Sequence, residues 1–223
     1  MKKAELTGLI AASSLPDGLK LYLQAMVSHK APCSLRGGLR KDPAGFIATL
    51  SRLLAGGSMA LGCSAQTALF ATGFDVKNLA PNRLEAALAE ILAALFLRGE
   101  GFAELKLIEP DLGRTADIAA LRGGLSYAFE VRCLKSGGGP LGADLLVNKY
   151  DKKFPQARNA IKKYGFDRAG VVFVREPCAF AGFAADPELE GLAHEVYSQK
   201  KSPRAAHICL LDRGRAGFYP PWP

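Results

Sequence analysis

The five cysteines of this chain are scattered, and no CxxC or CxxH spacing occurs among them. This scatter argues against a clustered zinc site and against a disulfide framework, and it favours a reducing, cytoplasmic compartment. Long hydrophobic runs are also missing, since none approaches the roughly 20 apolar residues that a membrane helix needs. The start looks like a signal peptide only briefly, because Glu5 and the polar stretch 13–17 interrupt it. We therefore expect a mature, cytoplasmic protein with no membrane partner.

Histidine and tryptophan are scarce, with three histidines and one tryptophan in 223 residues. His29, His194 and His207 show no metal-ligand spacing, and His207 is expected only to open a strand. Trp222 lies in the proline-rich tail 219–223, where we expect it to pack onto the domain rather than to read a base. Hydrophobic residues, by contrast, make up 49% of the chain, enough for the large core of a single domain with at most a small appendage.

Positive charge dominates, with a formal net charge of +8. A total of this size fits an anionic partner but does not establish one. The stretch 145–175 holds eight basic residues against two acidic ones. A smaller basic cluster comprises Arg36, Arg40 and Lys41. For either cluster the alternative to a binding surface is an ordinary solvated helix face.

The first part of the chain, residues 1–78, is predicted to be helical and rich in loops. Helices are predicted over 19–27 and 46–54, and Gly56-Gly57 is expected to end the second of them. A third helix is predicted over 58–70. No chemical motif occurs in this part, which is either an N-terminal helical subdomain or a helical cover for the remainder of the chain.

The second part, residues 79–223, alternates between helical and strand patterns. A helix capped by either Asn78 or Asn82 is predicted first, with apolar residues at steps of three and four. The other predicted elements are strands over 102–108, 115–120 and 126–133, with a hairpin at Arg122-Gly123-Gly124, then a helix near Pro155 that stops at Gly165, a strand over 170–174, a helix from Asp186-Pro187 to about 200, and a strand over 207–211. This order predicts an α/β fold, a mixed central sheet flanked by helices, with an N-terminal helical region.

Two carboxylates fall in neighbouring predicted strands. Asp117 lies in the strand over 115–120, and Glu130 comes thirteen residues later, on the same strand face as Arg132. An acid in so hydrophobic a strand needs a partner or a role. If the two strands pair as a hairpin, their carboxylates can converge, and Mg²⁺ accepts such oxygens together with a backbone carbonyl and waters. The alternative is a structural ion pair between Glu130 and Arg132.

Asp117 followed by Glu130-Val131-Arg132 resembles the D…(D/E)xK signature of the PD-(D/E)XK nuclease superfamily, the restriction-endonuclease-like proteins. The preceding segment 84–92 resembles the family's first core helix, in which a glutamate often adds a metal ligand. By position Glu85 is the better match for that glutamate, and Glu90 is the second. The resemblance covers roughly 82–175, leaves 1–78 uncovered, and implies an α-β-β-β-α-β core that hydrolyses phosphodiesters with Mg²⁺ or Mn²⁺.

The signature departs from the family pattern at its lysine, which is Arg132 here. An arginine stays protonated and cannot act as a base, although it can stabilise charge on the phosphorus. Lys106 or Lys149 could supply the missing lysine. The segment 152–159 resembles the helix that often adds a polar residue, for which Gln156 is the best candidate. The basic residues expected to contact backbone phosphates are Lys149, Lys152, Lys153, Arg158 and Lys162.

We therefore predict a metal-dependent nuclease, acting on DNA rather than RNA, with a homodimer as a possible state. Asp117, Glu130 and Arg132 are the predicted catalytic residues, and Glu85 joins the two acids as a predicted metal ligand. Two alternatives stay open. Arg132 in place of lysine favours a catalytically degenerate nucleic-acid-binding domain on the same fold. The helical N-terminal third, which lacks a motif, would suit a protein-interaction domain.

Overall fold

The computed structural model describes residues 2–28, 34–108, 116–134, 141–177, 182–199 and 206–223. Five helices precede the sheet: α1 Lys3–Ala12, α2 Asp17–Ser28, α3 Ser34–Lys41, α4 Pro43–Leu61 and α5 Ala65–Ala71. The helices predicted over 19–27 and 46–54 lie within α2 and α4. Thr115, at the start of a predicted strand, lies outside the described residues.

The prediction that Gly56-Gly57 ends a helix is wrong, because α4 runs through both glycines. Both glycines face α6, which spans Arg83–Gly99. A methyl group at Gly57 would collide with the side chain of Ile91, and one at Gly56 would press on Leu95. The glycines therefore let two helices pack closely instead of breaking one. By length and composition α4 could also span a membrane, but here it packs on α6.

The rest of the described chain builds one mixed sheet. Its elements are β1 Ala103–Leu107, β2 Ile118–Arg122, β3 Leu125–Leu134, α7 Ala143–Tyr164, β4 Arg168–Arg175, β5 Ala184–Ala185, α8 Pro187–Gln199, β6 Ala206–Asp212 and β7 Arg215–Tyr219. The strand order is β1-β2-β3-β4-β6-β7-β5. Strands β3, β4 and β6 run parallel, whereas β1, β2 and β3 form an antiparallel meander. The predicted α/β class is confirmed, and the sequence patterns missed the edge strand β5 and its neighbour β7.

Local chemistry explains most of the element boundaries. Gly123 and Gly124 have φ angles of 57° and 77°, and they form the predicted hairpin between β2 and β3. Gly165 ends α7 in the left-handed conformation. Asp186 caps α8 by accepting hydrogen bonds from the backbone N–H groups of Glu188 at 2.8 Å and Leu189 at 3.3 Å.

The two faces of the sheet bury different layers. The face carrying Tyr127, Phe129 and Val131 packs against α6 and shares one core with the N-terminal helices. The other face carries Phe173 and lies under α7 and α8. Trp222 packs into the first core, as predicted, and its indole N–H donates to a Glu100 carboxylate oxygen at 3.0 Å.

Candidate active site

A cleft of about 230 Å³ opens where β2 begins and β3 ends. One wall is the first half of α6, one is the C-terminal part of β3, and α7 closes a third side. The lining residues are Asn82, Ala86, Glu90, Asp117, Val131, Arg132, Cys133, Leu134 and Lys153. Two helices that are distant in the chain, α6 and α7, therefore meet the β2–β3 hairpin at one cleft.

The backbone of Asp117 forms hydrogen bonds to the chain segments on both sides of it in the sheet. Asp117 directly precedes β2, where its backbone N–H donates to the carbonyl of Phe129 at 2.9 Å and its own carbonyl accepts from Ile108 at 2.8 Å. Its carboxylate oxygen Oδ2 accepts from the backbone N–H of Val131 at 2.6 Å. These bonds fix the carboxylate beside the strand that carries Glu130.

Glu130 is 1% exposed and forms an ion pair with Lys153 of α7. The same ammonium donates to the amide oxygen of Gln156 at 3.0 Å. The second carboxylate oxygen of Glu130 is buried and has no hydrogen-bond partner among the described residues. Among the described residues, Glu130 and Arg132 do not form the ion pair that was considered from the sequence. Arg132 is exposed at the mouth of the cleft.

Three neighbouring carboxyl groups have raised pKa values: Glu90 and Asp117 line the cleft, and Glu130 is buried beside it. Burial raises the pKa of Glu90 to about 9, and the neighbouring Asp117 and Glu130 also raise it while Lys153 lowers it. Burial is the main cause that raises the pKa of Glu130 to about 7, and Asp117 adds to it. Burial also raises the pKa of Asp117, against the Val131 hydrogen bond and Lys153. Added positive charge near these groups would favour their ionised forms.

The structure reverses the predicted order of the two glutamates on α6. Glu85, preferred from the sequence, is 6% exposed. It lies near Cys133: burial, and after it the charge of Glu85, raises the pKa of the Cys133 thiol to about 12. Glu90 instead lines the cleft. The two positions are five residues apart, about 140° around the helix, so they face different surroundings. The available signal was the four-residue spacing of Asn82, Ala86 and Glu90, which puts all three on one stripe.

The lysine that contacts Glu130 is neither of the two that the sequence offered as replacements for the signature lysine. Lys106 is exposed on β1, and Lys149 lies one helical turn before Lys153. Within the described residues it is Lys153, predicted only as a phosphate contact, that reaches Glu130. Gln156 lies beside it, as predicted for a polar residue near the site. The three-residue step from Lys153 to Gln156 was a signal available in the sequence.

The donors of this cleft suit a hard divalent cation. Among the residues that the structure describes, no group of three or more His, Cys, Asp or Glu side chains is arranged to hold a metal ion. Mg²⁺ can bind through fewer protein ligands, because it usually keeps several waters and binds one or two carboxylates. The carboxyl groups available to such a cation are those of Glu90 and Asp117, which line the cleft, and the oxygen of Glu130 that has no hydrogen-bond partner.

Comparison with known protein families, with curated proteins and with solved structures finds no match for this chain. The chemistry of the cleft therefore rests on its own residues: a buried acidic cluster, a lysine paired with one of its acids, and an arginine at the mouth. Three of the predicted phosphate contacts, Lys152, Arg158 and Lys162, are exposed on α7 outside the cleft.

Proposed function

We propose that this chain is a nuclease that hydrolyses phosphodiester bonds, in DNA rather than RNA, with Mg²⁺ or Mn²⁺ as its cofactor. The observation that carries the proposal is that Glu90, Asp117 and Lys153 line one cleft and that Lys153 forms an ion pair with the buried Glu130 beside it. The element order α6-β1-β2-β3-α7-β4 supports it, because it is the α-β-β-β-α-β order of the restriction-endonuclease-like core that the sequence resembles.

The acids would hold the cation. Asp117 is oriented by the Val131 N–H, which leaves its second oxygen for a ligand. Glu130 would contribute its unpartnered oxygen, and Glu90 would approach from α6. When bound, the cation would polarise the phosphoryl oxygen and lower the pKa of a coordinated water.

To Lys153 we assign the role that the resemblance gives to the signature lysine. Its ammonium is held by Glu130 and Gln156, so it is already oriented toward the acids. A lysine can lose a proton in a buried site, whereas Arg132 cannot. Arg132, exposed at the mouth, would bind the phosphate of the scissile bond and stabilise its developing charge.

The test is cleavage of labelled single-stranded DNA, double-stranded DNA and RNA with Mg²⁺, Mn²⁺ or EDTA. Glu90→Gln, Asp117→Asn and Glu130→Gln should each lower the metal-dependent rate by at least about a hundredfold, since each removes a carboxylate that would hold the cation on which the reaction depends. Glu85→Gln is the matched control on the same helix and should retain activity. No cleavage by the wild type with any substrate, or loss with Glu85→Gln but not with Glu90→Gln, would count against the proposal.

Metal-independent nucleic-acid binding on the same fold is the second candidate. It is favoured by the ammonium of Lys153, which already neutralises Glu130 without a cation. Isothermal titration of the protein with Mn²⁺ separates the two functions. Saturable binding that Asp117→Asn removes supports the nuclease, whereas DNA binding without any Mn²⁺ binding supports the second candidate.

A further inference from the structure

The side chains of α7 divide into two faces relative to Lys153, whose contact with Glu130 marks the side of the helix toward the cleft. At about 100° per residue, one set lies between about 40° and 120° from Lys153, all in the same rotational direction. The polar members of this set, called the cleft-side stripe, are Lys149, Lys152, Gln156, Asn159 and Lys163, and the exposed Leu145 lies at the N-terminal end of the same arc. The hydrogen bond from Lys153 to Gln156 agrees with that placement.

The opposite face of α7 has a different charge pattern. Its charged members lie between about 140° and 180° from Lys153, and they are Asp144, Asp151, Arg158 and Lys162, all exposed. Both acids of the helix are therefore on the face that carries Arg158 and Lys162. A mixed-charge face is what a solvated helix surface presents, whereas the polar groups of the cleft-side stripe are all ammonium or amide groups and none is acidic.

The cleft-side stripe is continuous with the candidate active site. Gln156 contacts Lys153 inside the cleft, and it also lines a second depression together with Lys152, Pro155 and Asn159. From Lys149 to Lys163 the stripe is about 21 Å long at about 1.5 Å per residue. That length matches about six steps of a nucleic-acid strand at about 3.4 Å each.

We propose that one phosphodiester strand lies along the cleft-side stripe of α7, bound through its phosphates, and that the opposite face with Arg158 and Lys162 stays free of the strand. The inference rests on the proposed function, because it describes how that site receives its substrate. Ammonium and amide donors without acids complement a polyanion, and contacts to phosphates alone carry no base sequence. The strand would thus be bound without sequence preference.

Two charge-matched double variants test the inference. Lys149→Gln with Lys152→Gln removes two positive charges from the cleft-side stripe, and Arg158→Gln with Lys162→Gln removes two from the opposite face. Fluorescence anisotropy with labelled single-stranded DNA, double-stranded DNA and RNA is measured in EDTA across a salt series. Thermal unfolding of both variants establishes that they are folded.

The stripe variant should bind on the order of tenfold more weakly near about 0.1 M salt, with the slope of log K against log[salt] reduced by about 1.4 for a single strand. The opposite-face variant should stay within twofold of the wild type. Equal losses in both variants, a larger loss in the opposite-face variant, or no binding by the wild type would overturn the inference.

The outcome is separable from that of the nuclease assay. If the wild type cleaves with metal but the two double variants bind nucleic acid equally well, the proposed function stands and the role of the stripe is refuted. If only the stripe variant loses binding and the wild type does not cleave, the role of the stripe stands and the proposed function is refuted. The three nucleic acids compared show which kind of strand the stripe prefers.

Discussion

Replacing Glu90 by glutamine should make the metal-free protein more stable, although the same change should abolish metal-dependent cleavage. Glu90 lines the cleft with Asp117, close to the buried Glu130, and burial together with these acids raises its pKa from 4.5 to about 9. Glutamine keeps the shape of the side chain but carries no ionisable group. The variant therefore removes a destabilising interaction that the folded, metal-free protein retains.

The sign and size of the effect come from linkage. A carboxyl whose pKa is raised on folding contributes its full stability below its unfolded value of 4.5, and that contribution is lost as the pH rises toward about 9. At pH 7, about 2.5 pH units above the unfolded pKa, the free energy of unfolding lost through Glu90 is on the order of 3 kcal/mol. Water in the cleft screens part of this, so we expect Glu90→Gln to gain about 1–3 kcal/mol at pH 7 and little near pH 4.5.

Urea unfolding in EDTA at several pH values between 4.5 and 8.5 measures the difference directly. Glu195→Gln, which removes an exposed carboxylate from α8, controls for the loss of one charge. A divalent cation should reverse the order, because at about 100 times its Kd it adds about 2.7 kcal/mol to the wild type. A Glu90→Gln variant that is less stable than the wild type at pH 7 in EDTA, or a difference that does not grow with pH, would refute the reasoning.

Two further predictions concern ion pairs and pH. Asp212→Asn should cost about 3–5 kcal/mol in urea unfolding, because it leaves the guanidinium of Arg175, 8% exposed, without the carboxylate that it contacts at 2.8 and 2.6 Å. Glu176→Gln, whose partner Arg213 is exposed, should cost at most about 1 kcal/mol. His207, whose pKa burial lowers to about 4, contributes stability above pH 6.5 that is lost as the pH falls through 4. The wild type should therefore lose about 3 kcal/mol more than His207→Gln over that range.

Local sequence patterns were enough to place most of the sheet. The hairpin at Gly123-Gly124, the alternation in β3 and the continuous apolar run of β4 depend on neighbours in the chain, and each matches the structure. The edge strand β5 and its neighbour β7 were missed. Strand β5 has only two residues, and β7 depends on pairing with β6 rather than on a pattern of its own.

The residues of the candidate site were harder to choose. Asp117 and Glu130 were identified because an acid in a hydrophobic strand stands out against its neighbours. The choice of Glu85 over Glu90, and of Lys106 or Lys149 over Lys153, rested on position along the chain. Which helix residue reaches β3 depends on how α6 and α7 are rotated against the sheet.

The sequence by itself determined the α/β class, the hairpin that brings Asp117 beside Glu130, and the basic character of α7, because each of these depends on residue spacing over a few turns or strands. Only the tertiary structure decided that Glu90 and Lys153 join those acids, that Gly56-Gly57 serves close packing of α4 on α6, and that the basic residues of α7 divide into two faces. Helix rotation and packing distance are set by the whole core, and no short segment of the chain contains them.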